Sequence, residues 1–172
     1  MVRRFALSVV GVLGLTLALT VAPVAAATPA WNVQMGDLDY IVNTVSYDGF
    51  NAMHLHPPAI YSFMDWSTDG CSAGIIGGGP YHFDQACYRH DFSWRNLKRI
   101  TSQTGHVEFN ERNKYVADER FYNDMKHRCT SYNIFARPTC YATAYTYFKA
   151  VRSVAPYASA QTLHDNPSHF SW

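Results

Sequence analysis

Cysteine is scarce in this chain, charge is sparse, and neither sign of charge dominates. The 172 residues include 4 Cys, 14 Lys and Arg, and 13 Asp and Glu. No two cysteines stand in a CxxC spacing, which argues against zinc-ribbon and thioredoxin-type chemistry. There is no basic tract. Phosphate neutralisation needs clustered Lys and Arg, so nucleic acid is not expected as a partner. Every Asn lacks a following x-Ser/Thr acceptor except where Pro intervenes, so N-glycosylation is not expected. No repeat is visible, and no pair of segments reads as neighbouring strands.

What is present begins with Met1-Val2-Arg3-Arg4, an apolar run from Phe5 to about Ala22, then Pro23 and the small residues Val24 to Ala27. A charged start, an apolar middle and a small-residue exit predict a secretory signal peptide over 1–27, cleaved near Ala27. The run is barely long enough to span a bilayer, and Pro23 suits cleavage better than anchoring. Secretion to the extracellular space is therefore expected. Residues 28–172, about 145 in number, have the size of a single domain. Without Arg3 and Arg4, 12 of the 14 basic side chains remain against 13 acidic ones, a formal charge near −1. Cys71, Cys87, Cys129 and Cys140 make an even set, and disulfides are the default for an exported chain. Three connectivities are possible. The sequence-local one closes short loops, each worth roughly 2–4 kcal/mol.

Residues 28–36 read as an unstructured lead-in, and Leu38 to Val45 as a short helix. His54 to Pro58 breaks regular structure because of Pro57-Pro58, and Ile60 to Trp66 reads as another short helix. Ser72 to Pro80 reads as a glycine-rich loop. From about Asp84, a possible cap, the residues Phe83, Cys87, His90, Trp94 and Leu97 recur at helical spacing, and Gly105 closes that segment. Asn110 can cap the next helix, whose face reads Tyr115, Asp118, Tyr122, Met125 and Cys129. Pro138 opens a third, aligning Tyr141, Ala144, Tyr145, Phe148 and Val151. The tail from Ala155 reads as irregular. The expectation is an all-α, disulfide-stabilised domain built on two antiparallel central helices plus a C-terminal helix.

His90 and Asp118 are the polar exceptions on the apolar stripes of the two long helices. A buried carboxylate is costly without a donor. If the helices pack face to face, Asp118 accepts from His90, fixes its tautomer and leaves the other ring nitrogen as a general base. A purely structural His–Asp pair fits the same spacing. Asp91 points about 100° around the helix from His90, and Cys87 lies about 40° from Asp91. A Cys71–Cys87 bond would bring the two Cα atoms within roughly 7 Å. Asp69-Gly70-Cys71 would then lie one turn from Asp91. Two carboxylates with loop carbonyls suit Ca²⁺. The bland alternative is that Asp69 only caps the turn Thr68-Asp69-Gly70. With a cation beside a base-activated water, ester hydrolysis needs no nucleophilic Ser or Cys.

Asp65-Trp66-Ser67-Thr68-Asp69-x-Cys71, followed by Ala86-Cys87-x-Arg89-His90-Asp91-Phe92-x-x-Arg95-Asn96, resembles the secreted phospholipase A2 enzymes of bacteria and fungi. So do Asp118, Phe121-Tyr122-x-Asp124-Met125-Lys126 with Cys129, and Thr146-Tyr147-Phe148. The likeness runs from about Asp65 to Val151. It implies that His90 is the general base and Asp118 its orienting partner. It implies Asp69, Asp91 and the Gly70 carbonyl as calcium ligands, and disulfides joining 71 with 87 and 129 with 140. The implied reaction is calcium-dependent hydrolysis of the sn-2 ester of a glycerophospholipid, by a monomer at a membrane or micelle surface. Two departures stand out. Ala86, Tyr88, Phe92 and Ser93 occupy positions around the His-Asp pair where animal-type enzymes carry further cysteines, and Gly74 to Gly79 is unusually rich in glycine.

Other patterns carry less. His54-Leu55-His56 spaces two imidazoles as a strand would, but prolines follow and no third ligand is evident. Tyr141, Tyr145, Tyr147 and Phe148 read as packing surface, some of which could line an acyl pocket. Arg89 and Arg95 read as surface ion-pair residues, worth little. Two rival classes remain: a non-enzymatic toxin-like or adhesion protein on the same scaffold, and a metal-dependent nuclease, which would need the absent basic groove.

Overall fold

A computed structural model describes residues 27–71 and 76–153. Its helices are α1 (Trp31–Asp39), α2 (Tyr47–Leu55), α3 (Asp84–Thr104), α4 (Glu111–Cys129) and α5 (Arg137–Arg152). A π-helical turn, Tyr40–Thr44, continues α1, and 3₁₀ turns occupy Ala59–Tyr61 and Ile76–Tyr81. Among the described residues there is no strand. No described helix is long and apolar enough to cross a membrane. The signal-peptide segment and the tail from Ala155 lie outside the described residues.

α3 and α4 are the frame. Trp94 meets Lys114, His90 meets Asp118 and Arg89 meets Asp124, so α4 numbers rise as α3 numbers fall. That order is antiparallel packing. The turn between them is set by Gly105, at φ 77°, and by Asn110, whose side chain accepts from the amides of Arg112 and Asn113. α5 lies along α4 and is stapled to its end by Cys129–Cys140. Two apolar clusters result. One joins Met35, Leu38, Ile41, Val42 and Phe50 to Phe92, Leu97 and Ile100 of α3. The other joins Phe83, Ala86 and Cys87 to Phe121, Met125, Ala144 and Tyr147.

The N-terminal third departs from the sequence-based expectation. Residues 31–36 are helical rather than a lead-in, because Trp31 Nε1 donates to Glu108 and Met35 and Leu38 are buried against α3. α2 is an unanticipated helix, begun by the Ser46 side chain and ended just before Pro57. The helix expected over Ile60 to Trp66 is only the 3₁₀ turn Ala59–Tyr61. Part of the glycine-rich loop is likewise 3₁₀. Gly78 there takes φ +65°, and a Cβ on it would come 2.6 Å from the Phe83 amide nitrogen, so only glycine lets this turn abut α3. Asp84 lies in the first turn of α3 without capping it. Tyr115 is exposed, while Lys114, Ala117 and Phe121 are buried, because α4 packs on both α3 and α5.

Candidate active site

The segment Asp65 to Cys71 runs along α3 and is tied to it repeatedly. The Asn96 amide clamps Asp65, donating to its carbonyl at 2.9 Å and accepting from its N–H at 2.8 Å. Asp91 Oδ2 accepts from the Thr68 hydroxyl at 2.5 Å and from the Asp69 and Gly70 amides, each at 3.1 Å. Cys71 is bonded to Cys87. Gly70 takes φ +68°, which a side chain would strain. The acidic turn is therefore seated beside Asp91, through main-chain donors. The Asp69 carboxylate itself bonds Arg95 at 2.5 Å, and Arg95 also reaches Ser67.

His90 Nε2 lies 2.8 Å from Asp118 Oδ1. Asp118 Oδ2 accepts from Lys114 Nζ at 2.6 Å and from Arg152 at 3.4 Å. Burial alone would push the Asp118 carboxyl up. The hydrogen bonds and charges of His90 and Lys114 outweigh it and hold the group below the usual carboxylate range. An ionised Asp118 accepts only, so Nε2 carries the proton and Nδ1 has the free lone pair. The imidazole is bracketed by Trp94, ring centres 5.0 Å apart, and Phe121, 4.8 Å apart. Burial pushes the Asp91 carboxyl up. The Thr68 hydrogen bond opposes this and the Asp69 charge adds to it.

A cavity of about 460 Å³ opens over these groups, lined by His90, Asp91, Asp69, Gly70 and Tyr147 among others. Its walls include Trp94 and Phe121, and Ala150 and Val151 from the end of α5. A base with a fixed tautomer, an acidic rim and an apolar wall in one cavity can place a water against an ester whose chains lie in the apolar part.

The model of the prokaryotic phospholipase A2 family matches residues 38–155. This chain belongs to that family. A protein named secretory phospholipase A2 from Beauveria bassiana is 34% identical over 100 residues, covering 58% of this chain and 48% of its own length. A second of the same name, from Arthroderma benhamiae, is 30% identical over 126 residues, covering 70% of this chain and 78% of its own. The chain thus spans less than half of one of these relatives and over three-quarters of the other.

The geometry brings His90 and Asp118 together, and Asp69, Gly70 and Asp91 onto one rim of this family member's cavity. Other expectations fail. Arg89 is no surface residue: it is 1% exposed, pairs with Asp124, and donates to the carbonyls of Val42 and Ser46. Burial lowers its pKa to about 10 against the favourable charge of Asp124. His54 and His56 are not on a strand; His54 lies in the last turn of α2 and stacks on Tyr88, and His56 follows the helix as its C-cap. Of the four aromatics offered for an acyl pocket, Tyr147 lines the cavity and Tyr145 is exposed. Lys114, Arg152 and Trp94 were not read as site residues. Lys114 stands four residues before Asp118 on a helix, a spacing that pairs opposite charges, so that signal was available.

Proposed function

We propose that this chain is a secreted, monomeric, calcium-dependent phospholipase that hydrolyses the sn-2 ester of glycerophospholipids at a lipid surface. The observation that carries it is the 2.8 Å contact of His90 Nε2 with Asp118, on an imidazole that also lines the acidic-rimmed cavity. His90 Nδ1 takes the proton of the attacking water. Asp118 holds the ring and stabilises the imidazolium that forms. The proton then passes from Nδ1 to the leaving lysophospholipid oxygen. Export agrees with the signal-peptide pattern over 1–27 and with two disulfides.

The calcium set is Asp69, Asp91 and the Gly70 carbonyl. Among the described residues, no three His, Cys, Asp or Glu side chains cluster as a metal site, so main-chain oxygen is needed to complete the set. The donor chemistry fits a hard cation: two carboxylates near enough that the Asp69 charge raises the Asp91 carboxyl, on the rim of an open cavity. One adjustment is required, since Asp69 must leave Arg95. When bound, calcium supplies polarisation of the ester carbonyl and takes up charge in the tetrahedral intermediate.

The test is hydrolysis of mixed-chain phosphatidylcholine by residues 28–172, with calcium and with EGTA. Fatty acid is expected from sn-2, only with calcium, and His90→Ala is expected to lower turnover by about 10²–10⁴-fold with the fold intact. Release from sn-1, or unchanged turnover in EGTA, would overturn the reading. Silence on every lipid would favour a binding protein on this scaffold.

A further inference from the structure

Lys114 is almost wholly buried, with 1% of its side chain exposed. Its ammonium donates to Asp118 Oδ2 at 2.6 Å and to the Val151 carbonyl at 3.0 Å. It also lies 5.2 Å from the centre of the Trp94 ring, which flanks His90. A lysine kept this dry is expensive unless each contact is specific. Here the contacts point one way. One oxygen of Asp118 holds the imidazole and the other holds the ammonium, so the carboxylate has donors at both ends.

We propose that Lys114 is a positioning residue for hydrolysis, acting through Asp118. A carboxylate held only by His90 can turn about its Cβ–Cγ bond and let the imidazole tilt. The Lys114 bond to Oδ2 stops that rotation and keeps Oδ1 turned toward Nε2–H. The second bond of Lys114, to Val151, ties the same carboxylate to the stretch of α5 whose Ala150 and Val151 line the cavity. The base and the apolar wall are thereby registered to one another through a single ammonium. Arg152 also donates to Oδ2, but at 3.4 Å and part-exposed it makes the longer and weaker bond, so it holds the carboxylate less firmly than Lys114 does at 2.6 Å. A lysine serving only to glue α4 to α5 would leave the imidazole's hydrogen bond untouched when removed.

This inference rests on the phospholipase reading, and the experiment separates the two. Wild-type release of sn-2 fatty acid and its loss in H90A decide the reading itself. Lys114→Met, similar in length and uncharged, then addresses Lys114. Turnover is expected to fall by about 10²-fold, the loss that follows from misplacing a reacting group by an ångström. KM and calcium affinity by calorimetry should stay within about twofold, since a group misplaced only in the reacting geometry affects kcat. In ¹H NMR without substrate, the His90 Nε2–H resonance, shielded from water in the wild type, should broaden through faster solvent exchange in K114M. Because K114M leaves Asp118 buried with one donor fewer, it could fail to fold. D118N/K114M, in which both charges are gone, provides the second arm. If Lys114 acts through Asp118, that double variant should match D118N alone. Wild-type kcat in K114M, an unchanged His90 resonance, or a further 10²-fold loss when K114M is added to D118N would each overturn the proposal.

Discussion

A wholly buried carboxylate keeps its charge only where both oxygens find donors, and Asp118 has His90 on one and Lys114 with Arg152 on the other. Its carboxyl titrates below its unfolded value. Its contribution to stability is therefore complete above the ordinary carboxylate range and is lost as pH falls through the lowered value. The stability gap between the wild type and D118N, from urea melts, is expected to shrink as pH drops below that range; a gap that widens there contradicts the assignment. Asp69 illustrates the opposite case, an exposed carboxylate in an exposed ion pair with Arg95. Such pairs are weak, so Arg95→Gln should release Asp69 and tighten calcium by about two- to fivefold in calorimetry. Weaker binding in R95Q would mean that Arg95 supports the loop rather than competing for its ligand.

At the scale of elements, caps and stripes were legible where helices are long. Gly105 and Asn110 end α3 and begin α4 as their residue types predict, and Phe83, Cys87, His90 and Leu97 are buried as one stripe. Asn110→Ala is expected to cost about 1 kcal/mol in a denaturant melt, toward 2 because its Nδ2 also holds Val107. A loss under about 0.3 kcal/mol would show that the αL turn at Gly105 suffices. The short helix read over Leu38 to Val45 is there as the end of α1 and its π-turn, whereas the start of α1 and the whole of α2 were not legible, because they are short and neither supplies its own stability. Arg89 donates to the carbonyls of Val42 and Ser46, and Arg120 to those of Asn43 and Val45, so the end of α1 and its π-turn is capped by α3 and α4. Both guanidiniums in turn lean on Asp124, which burial pushes up against their charge. A cap donated from elsewhere in the chain leaves no local pattern.

At the scale of the molecule, the cavity sits where the two apolar clusters meet, with Trp94 packed on one and Phe121 belonging to the other. If the rim takes calcium as proposed, binding will stabilise the folded state by mass action. At a hundredfold excess over Kd the gain is about 2.7 kcal/mol, visible as a higher melting temperature that EGTA reverses and D91N abolishes. An unshifted melt at that excess would leave the rim without a calcium role. The helical class, the disulfide count, the long helices and the pairing of His90 with Asp118 followed from sequence, because periodicity and residue chemistry are local properties read along one chain. Burial of Arg89, the donors that Asp91 receives from the loop, the Arg95 hold on Asp69 and the Lys114 support of Asp118 came only with the packed structure. Each depends on which side chain occupies the space left by distant segments, and that is decided when helices dock, not when they form.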